Sequence, residues 1–316
     1  MSTTHRGWKR TAPAITAGCV AALVLAALPC QAGTIRHDRA DSAYRNLALE
    51  PQFAAVGRYT TGVSSCSFTL IAPQWALTAA HCVDTDLDGR IDDESITNDT
   101  FTVGGVQRRA VELHVPTGWT GDINRGFDLA LVRLDAPITT VTPATIYTGF
   151  NELGAQIVSV GFGQGGTGKT GATGSSGIKR AGQNVVDRFA IFRNGATGLI
   201  WDFDEPSPRL SPNQFGDSTP LDLEMNIAPG DSGGGTFLFE NGAWYLAGVH
   251  SGSYDYFDYP GSITDHSSYG DGSLVTRVSA YQSFIFSIIP EPASLTLLAL
   301  TSLILIQRRP NAVPSH

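Results

Sequence analysis

Leu77-Thr78-Ala79-Ala80-His81-Cys82, Asp128-Leu129-Ala130-Leu131-Val132 and Gly230-Asp231-Ser232-Gly233-Gly234 follow one another, in that order, along a chain of 316 residues. A serine hydroxyl is a poor nucleophile near neutral pH. It attacks well only when an imidazole within hydrogen-bond reach takes its proton and a carboxylate on the other ring nitrogen fixes the tautomer. The three segments supply one group of each kind, in His81, Asp128 and Ser232. Taken singly, each has an ordinary reading: a histidine beside a cysteine is usually structural, and an aspartate before an apolar run is usually a cap or turn residue. The glycines around Ser232 permit a tight bend that exposes its hydroxyl. The same bend aims the amides of Gly230 and Ser232 at one point, as an oxyanion hole requires.

The surrounding chain suits a β protein. It is 42% hydrophobic and only 16% charged, with 35 glycines, which favours a turn-rich globular fold. Alternating or β-branched runs at 68–71, 101–103, 129–134, 156–160, 236–239, 244–249 and 274–278 read as short strands between Gly, Pro, Asn and Asp. Many short strands favour a sandwich or barrels. Only 279–288 reads as a helix. The glycine-rich stretch 163–177 has almost nothing to bury and is expected to be mobile or to face solvent.

The two ends carry sorting features. Basic residues at Arg6, Lys9 and Arg10, an apolar run over 17–28 and the small-residue close Cys30-Gln31-Ala32 read as a secretory leader over 1–32, cut after Ala32. Removal of that leader leaves Cys66 and Cys82 as the only cysteines of an exported protein, so they are expected to pair. At the far end, Pro290-Glu291-Pro292 precedes fourteen uncharged residues at 293–306 and Arg308-Arg309, a stretch short for a stable span. Between the ends, 16 basic and 28 acidic residues give a net charge of −12. That balance argues against nucleic-acid binding, which wants a basic face.

On the three opening segments, residues 43–289 resemble the trypsin-like serine proteases of chymotrypsin fold. The resemblance implies an all-β domain of two six-stranded antiparallel β-barrels with a C-terminal helix. Within a domain of 33–289, barrel 1 covers about 43–145, barrel 2 about 146–278 and the helix about 279–288. It implies His81 as general base and acid, Asp128 as its orienting carboxylate, and Ser232 as the nucleophile acylated by a protein or peptide substrate. Gly230 and Ser232 would form the oxyanion hole, and Cys66–Cys82 would match the family's bridge beside the histidine. Ser251-Gly252-Ser253 falls where substrate backbone pairs as an added strand. The position at the base of the specificity pocket falls on Asn226, which carries no charge to attract Arg or Lys. Asp231 is the residue that pairs with a newly cut N-terminus on activation. The family's usual Ile-Val-Gly-Gly start is missing, leaving Ile35 behind the leader cut and Arg36, Arg39 and Arg45 as later cleavage points. The tail over 290–309 resembles bacterial PEP-CTERM sorting signals. That implies an exosortase-type processing partner, transient membrane contact, and a location in the cell envelope, surface or extracellular matrix of a bacterium; an ordinary anchor is the other reading.

Two further motifs invite a ligand. Asp84-Thr85-Asp86-Leu87-Asp88-Gly89-Arg90-Ile91-Asp92 matches the first nine positions of an EF-hand-type loop, with Asp84, Asp86, Asp88, the Arg90 carbonyl and Asp92 as calcium ligands. The usual closing glutamate is replaced by Ser95. The chemistry itself needs no cofactor, and calcium would be structural, steadying the loop after His81. A solvated acidic loop is the plainer reading, but five carboxylates between Asp84 and Asp93 repel one another without a cation. Gly163-Gln164-Gly165-Gly166-Thr167-Gly168-Lys169-Thr170 matches a phosphate-binding loop, but the glycines and serines that follow cannot hold the helix such a loop needs. The alternative from another class is a noncatalytic, calcium-dependent surface or matrix protein on the protease fold.

Overall fold

The computed structural model describes residues 33–62, 64–91, 98–192, 197–206, 214–216, 218–256, 259–264 and 266–289. The leader, the 290–309 tail and Asp92 lie outside these residues. Seventeen strands follow in chain order among the described residues. They are β1 (Gly33–Ile35), β2 (Val56–Thr60), β3 (Ser65–Ala72), β4 (Trp75–Thr78), β5 (Thr100–Val103), β6 (Val106–His114), β7 (Ala130–Leu134), β8 (Gln156–Gly161) and β9 (Gly165–Thr167). Then come β10 (Gly171–Ala172), β11 (Arg180–Val185), β12 (Arg188–Ile191), β13 (Thr197–Asp202), β14 (Met225–Asn226), β15 (Gly235–Glu240), β16 (Ala243–Tyr254) and β17 (Gly272–Arg277).

The expected chymotrypsin-like fold is present, with one difference of detail. Strands β2 to β7 close a six-stranded barrel in the order β2-β3-β4-β7-β6-β5. The second half is instead a seven-stranded antiparallel sheet, β11-β8-β15-β16-β17-β13-β12, whose two end strands do not pair with each other. Buried apolar side chains explain the barrel. Tyr59, Phe68, Leu70, Phe101, Leu131 and Val132 are all buried, and Tyr59 and Phe68 both pack on the ring of Phe101. One apolar core runs from this barrel into the second half through Val158, Val160, Phe237 and Val249, where Phe53 meets the rings of Phe237 and Trp244. The two halves are therefore clamped together, and the crevice between them is fixed.

The chain's expected C-terminal helix is a 3₁₀ turn, Val278–Tyr281, running into a helix at Gln282–Ile288 that buries Ile285. An unexpected helix, Asp41–Ala48, lies near the start and buries Tyr44 and Ala48. It packs against β11 of the second half, and its Ala48 joins the core that the first barrel shares. The glycine-rich stretch also departs from expectation, because much of 163–172 is buried. Its β9 and β10 join β1 and β14 in a four-stranded sheet. Glycine makes that possible: a Cβ at Gly166 would stand 1.9 Å from the carbonyl oxygen of Gly171, and one at Gly168 would strike the Tyr269 ring at 2.4 Å. Lys169 sits in the turn between two strands, with no helix for a phosphate to face.

Candidate active site

Strand β4 delivers the histidine. Its buried Ala76, Leu77 and Thr78 anchor it in the barrel, and the chain then turns through a 3₁₀ segment, Ala80–Cys82. Cys82 is bonded to Cys66 of β3, so the turn is tied to the wall beside it. Asp128 lies just before β7 and is fully buried. Its Oδ2 is 2.8 Å from Nδ1 of His81, and its Oδ1 accepts the His81 backbone N–H at 2.9 Å. Two groups from the second half hold the aspartate. The Ser251 hydroxyl donates to Oδ2, and the Thr276 hydroxyl donates to the Asp128 carbonyl at 2.8 Å. Burial alone would push the imidazolium pKa down; the charge of Asp128 and its hydrogen bond outweigh this, and the His81 pKa stands above its ordinary 6.5.

Ser232 comes from the turn between β14 and β15 and is partly exposed. Ser67 N–H donates to its carbonyl at 2.7 Å, and the Thr78 hydroxyl donates to the Ser67 carbonyl at 2.8 Å. The serine turn is thus tied through Ser67 to Thr78, three residues before His81. Gly233 fits tightly there: a Cβ on it would lie 2.1 Å from Thr78 Oγ1 and 2.2 Å from the Ser67 carbonyl oxygen. Ser232 Oγ makes no hydrogen bond among the described residues, which is common for a nucleophile without substrate. Gly230 adopts φ +92°. Neither its amide nor that of Ser232 donates to a protein acceptor among the described residues, whereas Asp231 N–H is used on the Ala228 carbonyl and Gly233 N–H on the His250 carbonyl. Two amide donors therefore stay open at the serine.

A family model for trypsin matches residues 48–272. The chain belongs to the trypsin family. This trypsin-family chain is similar to chymotrypsin-like elastase family member 1 of Canis lupus familiaris, with 32% identity over 77 residues, covering 24% of the chain and 30% of the dog protein. The rat protein of that name (Rattus norvegicus) is 32% identical over 87 residues, covering 26% of the chain and 32% of the relative. In each case the match spans less than a third of the relative's length.

The remaining expected residues of this trypsin-family chain fall as follows. Asn226 is fully buried; its Oδ1 accepts from the Ser273 hydroxyl, and its Nδ2 donates to the Asp271 carbonyl at 3.4 Å. Its amide is already engaged with β17. Ser251, expected along a substrate strand, turns its side chain away onto Asp128, so only its backbone remains for such pairing. Beyond Val249 the β15 side of β16 is unpaired among the described strands, leaving an open edge at 251–253.

Asp231 lies in a closed pocket. Its carboxylate accepts Gly163 N–H at 2.7 Å and Ala228 N–H at 3.0 Å, and the backbone of Gly33 also donates to it. Burial nonetheless pushes its pKa up to about 7, against those donors and the positive charge of Arg180. Sequence reasoning missed Gly33, Arg180, Thr276 and the role of Ser251 as an Asp128 partner. No local pattern marks them, since each acts only across a long-range contact. Of the activation points weighed, Arg36 is buried, is paired to Asp38 at 2.8 Å and bonds the Leu221 carbonyl at 2.5 Å, while Arg45 lies inside a helix.

Proposed function

We propose that the protein is a secreted serine endopeptidase. The reading rests above all on His81 pinned by Asp128, together with a serine turn whose Gly230 and Ser232 amides have no protein acceptor among the described residues. His81 Nε2 takes the proton of Ser232 Oγ as that oxygen attacks a peptide carbonyl carbon. The tetrahedral oxyanion is held by the two open amides. His81 then gives its proton to the departing amine, leaving an acyl-enzyme on Ser232, and repeats the sequence with water. The substrate backbone lies along the open edge of β16 at 251–253. The engaged, uncharged Asn226 disfavours selection of Arg or Lys, since nothing at that position neutralises a cation.

Maturation follows from the same reading. With the leader cut after Ala32, the Gly33 amide nitrogen beside Asp231 becomes an ammonium, and leader removal itself completes the pocket next to the oxyanion turn. Residues 33–36 are all buried, which supports this start over a later one. The 290–309 tail is assigned to exosortase-type processing and transient membrane contact at the cell envelope.

The test is labelling with a fluorophosphonate probe together with peptide-library cleavage. Wild-type protein should label and cleave, and Ser232→Ala should do neither. Unlabelled wild-type protein beginning at Gly33 would overturn the reading in favour of a noncatalytic surface protein.

A further inference from the structure

The loop that follows His81 and Cys82 holds a second chemistry, and it does not depend on the protease reading. One carboxylate oxygen from each of Asp84, Asp86 and Asp88 lies within 4.8 Å of the other two. None of the three makes an ion pair with a basic side chain among the described residues. Like charges this close raise the energy of the loop unless a cation sits between them.

The decisive atom is Asp84 Oδ1. Asp84 is fully buried, and its two oxygens are treated differently. Oδ2 accepts Gly89 N–H at 3.0 Å and the Trp119 indole N–H at 2.7 Å. Oδ1 is buried and has no hydrogen-bond partner. A buried carboxylate oxygen without a partner is costly in a native fold and calls for an explanation. Gly89, at φ +82°, makes the bend that brings its amide onto Asp84. Asp86 accepts Asp88 N–H at 3.2 Å and Asp88 accepts Arg90 N–H at 2.8 Å, so each carboxylate is oriented by the backbone while an oxygen remains available.

We infer that Asp84, Asp86 and Asp88 bind a divalent cation of the calcium class, with the Arg90 carbonyl as a further ligand and water completing the shell. An all-oxygen, carboxylate-rich set with no nitrogen or sulfur suits a hard cation, and a loop of flexible, partly exposed ligands suits calcium better than magnesium. The site is coupled to the catalytic segment on both sides. Asp84 N–H donates to the Ala80 carbonyl at 2.9 Å, within the turn that carries His81. Trp119 and the closely packed Gly121, whose Cβ position lies 1.9 Å from the Leu87 carbonyl oxygen, begin the stretch that leads to Asp128. A bound ion therefore braces the loops that bring base and carboxylate together.

The experiment uses exported protein carrying Ser232→Ala, so that self-digestion cannot mimic a stabilising effect. Terbium is added and tryptophan is excited; the ion's luminescence should rise and be displaced by calcium. The melting temperature should rise by about 5 to 10 °C at a hundredfold excess of calcium over Kd relative to chelator. The Asp86→Asn/Asp88→Asn variant should lose both responses. In chelator it should melt at or above the parent temperature, because repulsion has been removed. Equal melting in calcium and chelator for the parent, or calcium-displaceable terbium luminescence retained by the variant, overturns the site. Because none of these readouts is catalytic, such a failure leaves the protease reading to be judged on its own probe.

Discussion

Nδ1 of His81 lies 2.8 Å from Oδ2 of Asp128, 47 residues further along the chain, and the same oxygen accepts the hydroxyl of Ser251 from the other half of the molecule. The aspartate is thus held from both sides of the crevice, and its fully buried carboxylate fixes the imidazole tautomer, while Nε2 lies 3.8 Å from Cys82 Sγ. Asp128→Asn should lower kcat by about 10⁴. Activity needs neutral His81, so it rises with pH through the imidazole pKa, which Asp128 holds above 6.5. The variant's acid limb should move to lower pH in a profile of kcat/KM. An unmoved limb would show that another group controls it.

Gly233 allows no side chain. At φ +80° its missing Cβ would strike Thr78 Oγ1 and the Ser67 carbonyl. Gly233→Ala should cost about 1 to 2 kcal/mol from backbone strain alone, with the clash adding to it, and it should displace the serine turn. Thermal unfolding and probe labelling together check this, with both expected to fall.

His250 is a buried imidazole held neutral. Its Nδ1–H donates to the Asp231 carbonyl at 3.2 Å, its Nε2 has no partner among the described residues, and burial pulls its pKa from 6.5 to about 4. Between those two values the unfolded chain binds a proton that the native fold refuses, so stability falls as pH drops from 6.5 toward 4. The loss amounts to about 3 kcal/mol. Denaturant unfolding of His250→Leu across this range should lack that component of the slope; an unchanged slope would assign the acid loss elsewhere.

The bridge between Cys66 and Cys82 closes a loop with a sequence separation of 16. Replacing both cysteines by serine should lower the unfolding free energy by about 3 kcal/mol on the chain-entropy account. Activity should fall at high temperature before it falls at low, since the bridge steadies the turn carrying His81.

Residues added ahead of Gly33 should leave a neutral amide, in place of an ammonium, beside Asp231. Protein made with such an extension should lose activity by about 100-fold or more, the scale of a lost oxyanion donor, and regain it when the extension is removed to expose Gly33. N-terminal sequencing of active secreted protein should read Gly33-Thr34-Ile35. Full activity with the extension intact would sink this account of maturation.

Much of the fold could be read directly along the chain. The runs at 68–71, 101–103, 156–160, 236–239 and 244–249 all lie within observed strands, as does 274–278 except for Val278, because alternation of apolar side chains is a local property. The helix Asp41–Ala48 was missed because it is short, with no side-chain cap at its start; its stability comes from tertiary contacts, including Tyr44 on the Glu224 carbonyl at 3.1 Å. The 163–177 stretch misled for a related reason. Glycines offer nothing apolar to bury, yet they admit backbone against backbone, as at Gly166 and Gly171.

The order of the amino acids alone determined which reactive groups exist, His81, Asp128 and Ser232, and which two cysteines an exported chain could join. Tertiary structure alone decided the environment of each. It placed Ser251 on Asp128, left the Gly230 and Ser232 amides open, buried Asp231 against Gly33, and left Asp84 Oδ1 without a partner. The physical reason is range: strand periodicity and turn chemistry act over a few neighbours, whereas the charge state of a buried carboxylate depends on every element packed around it.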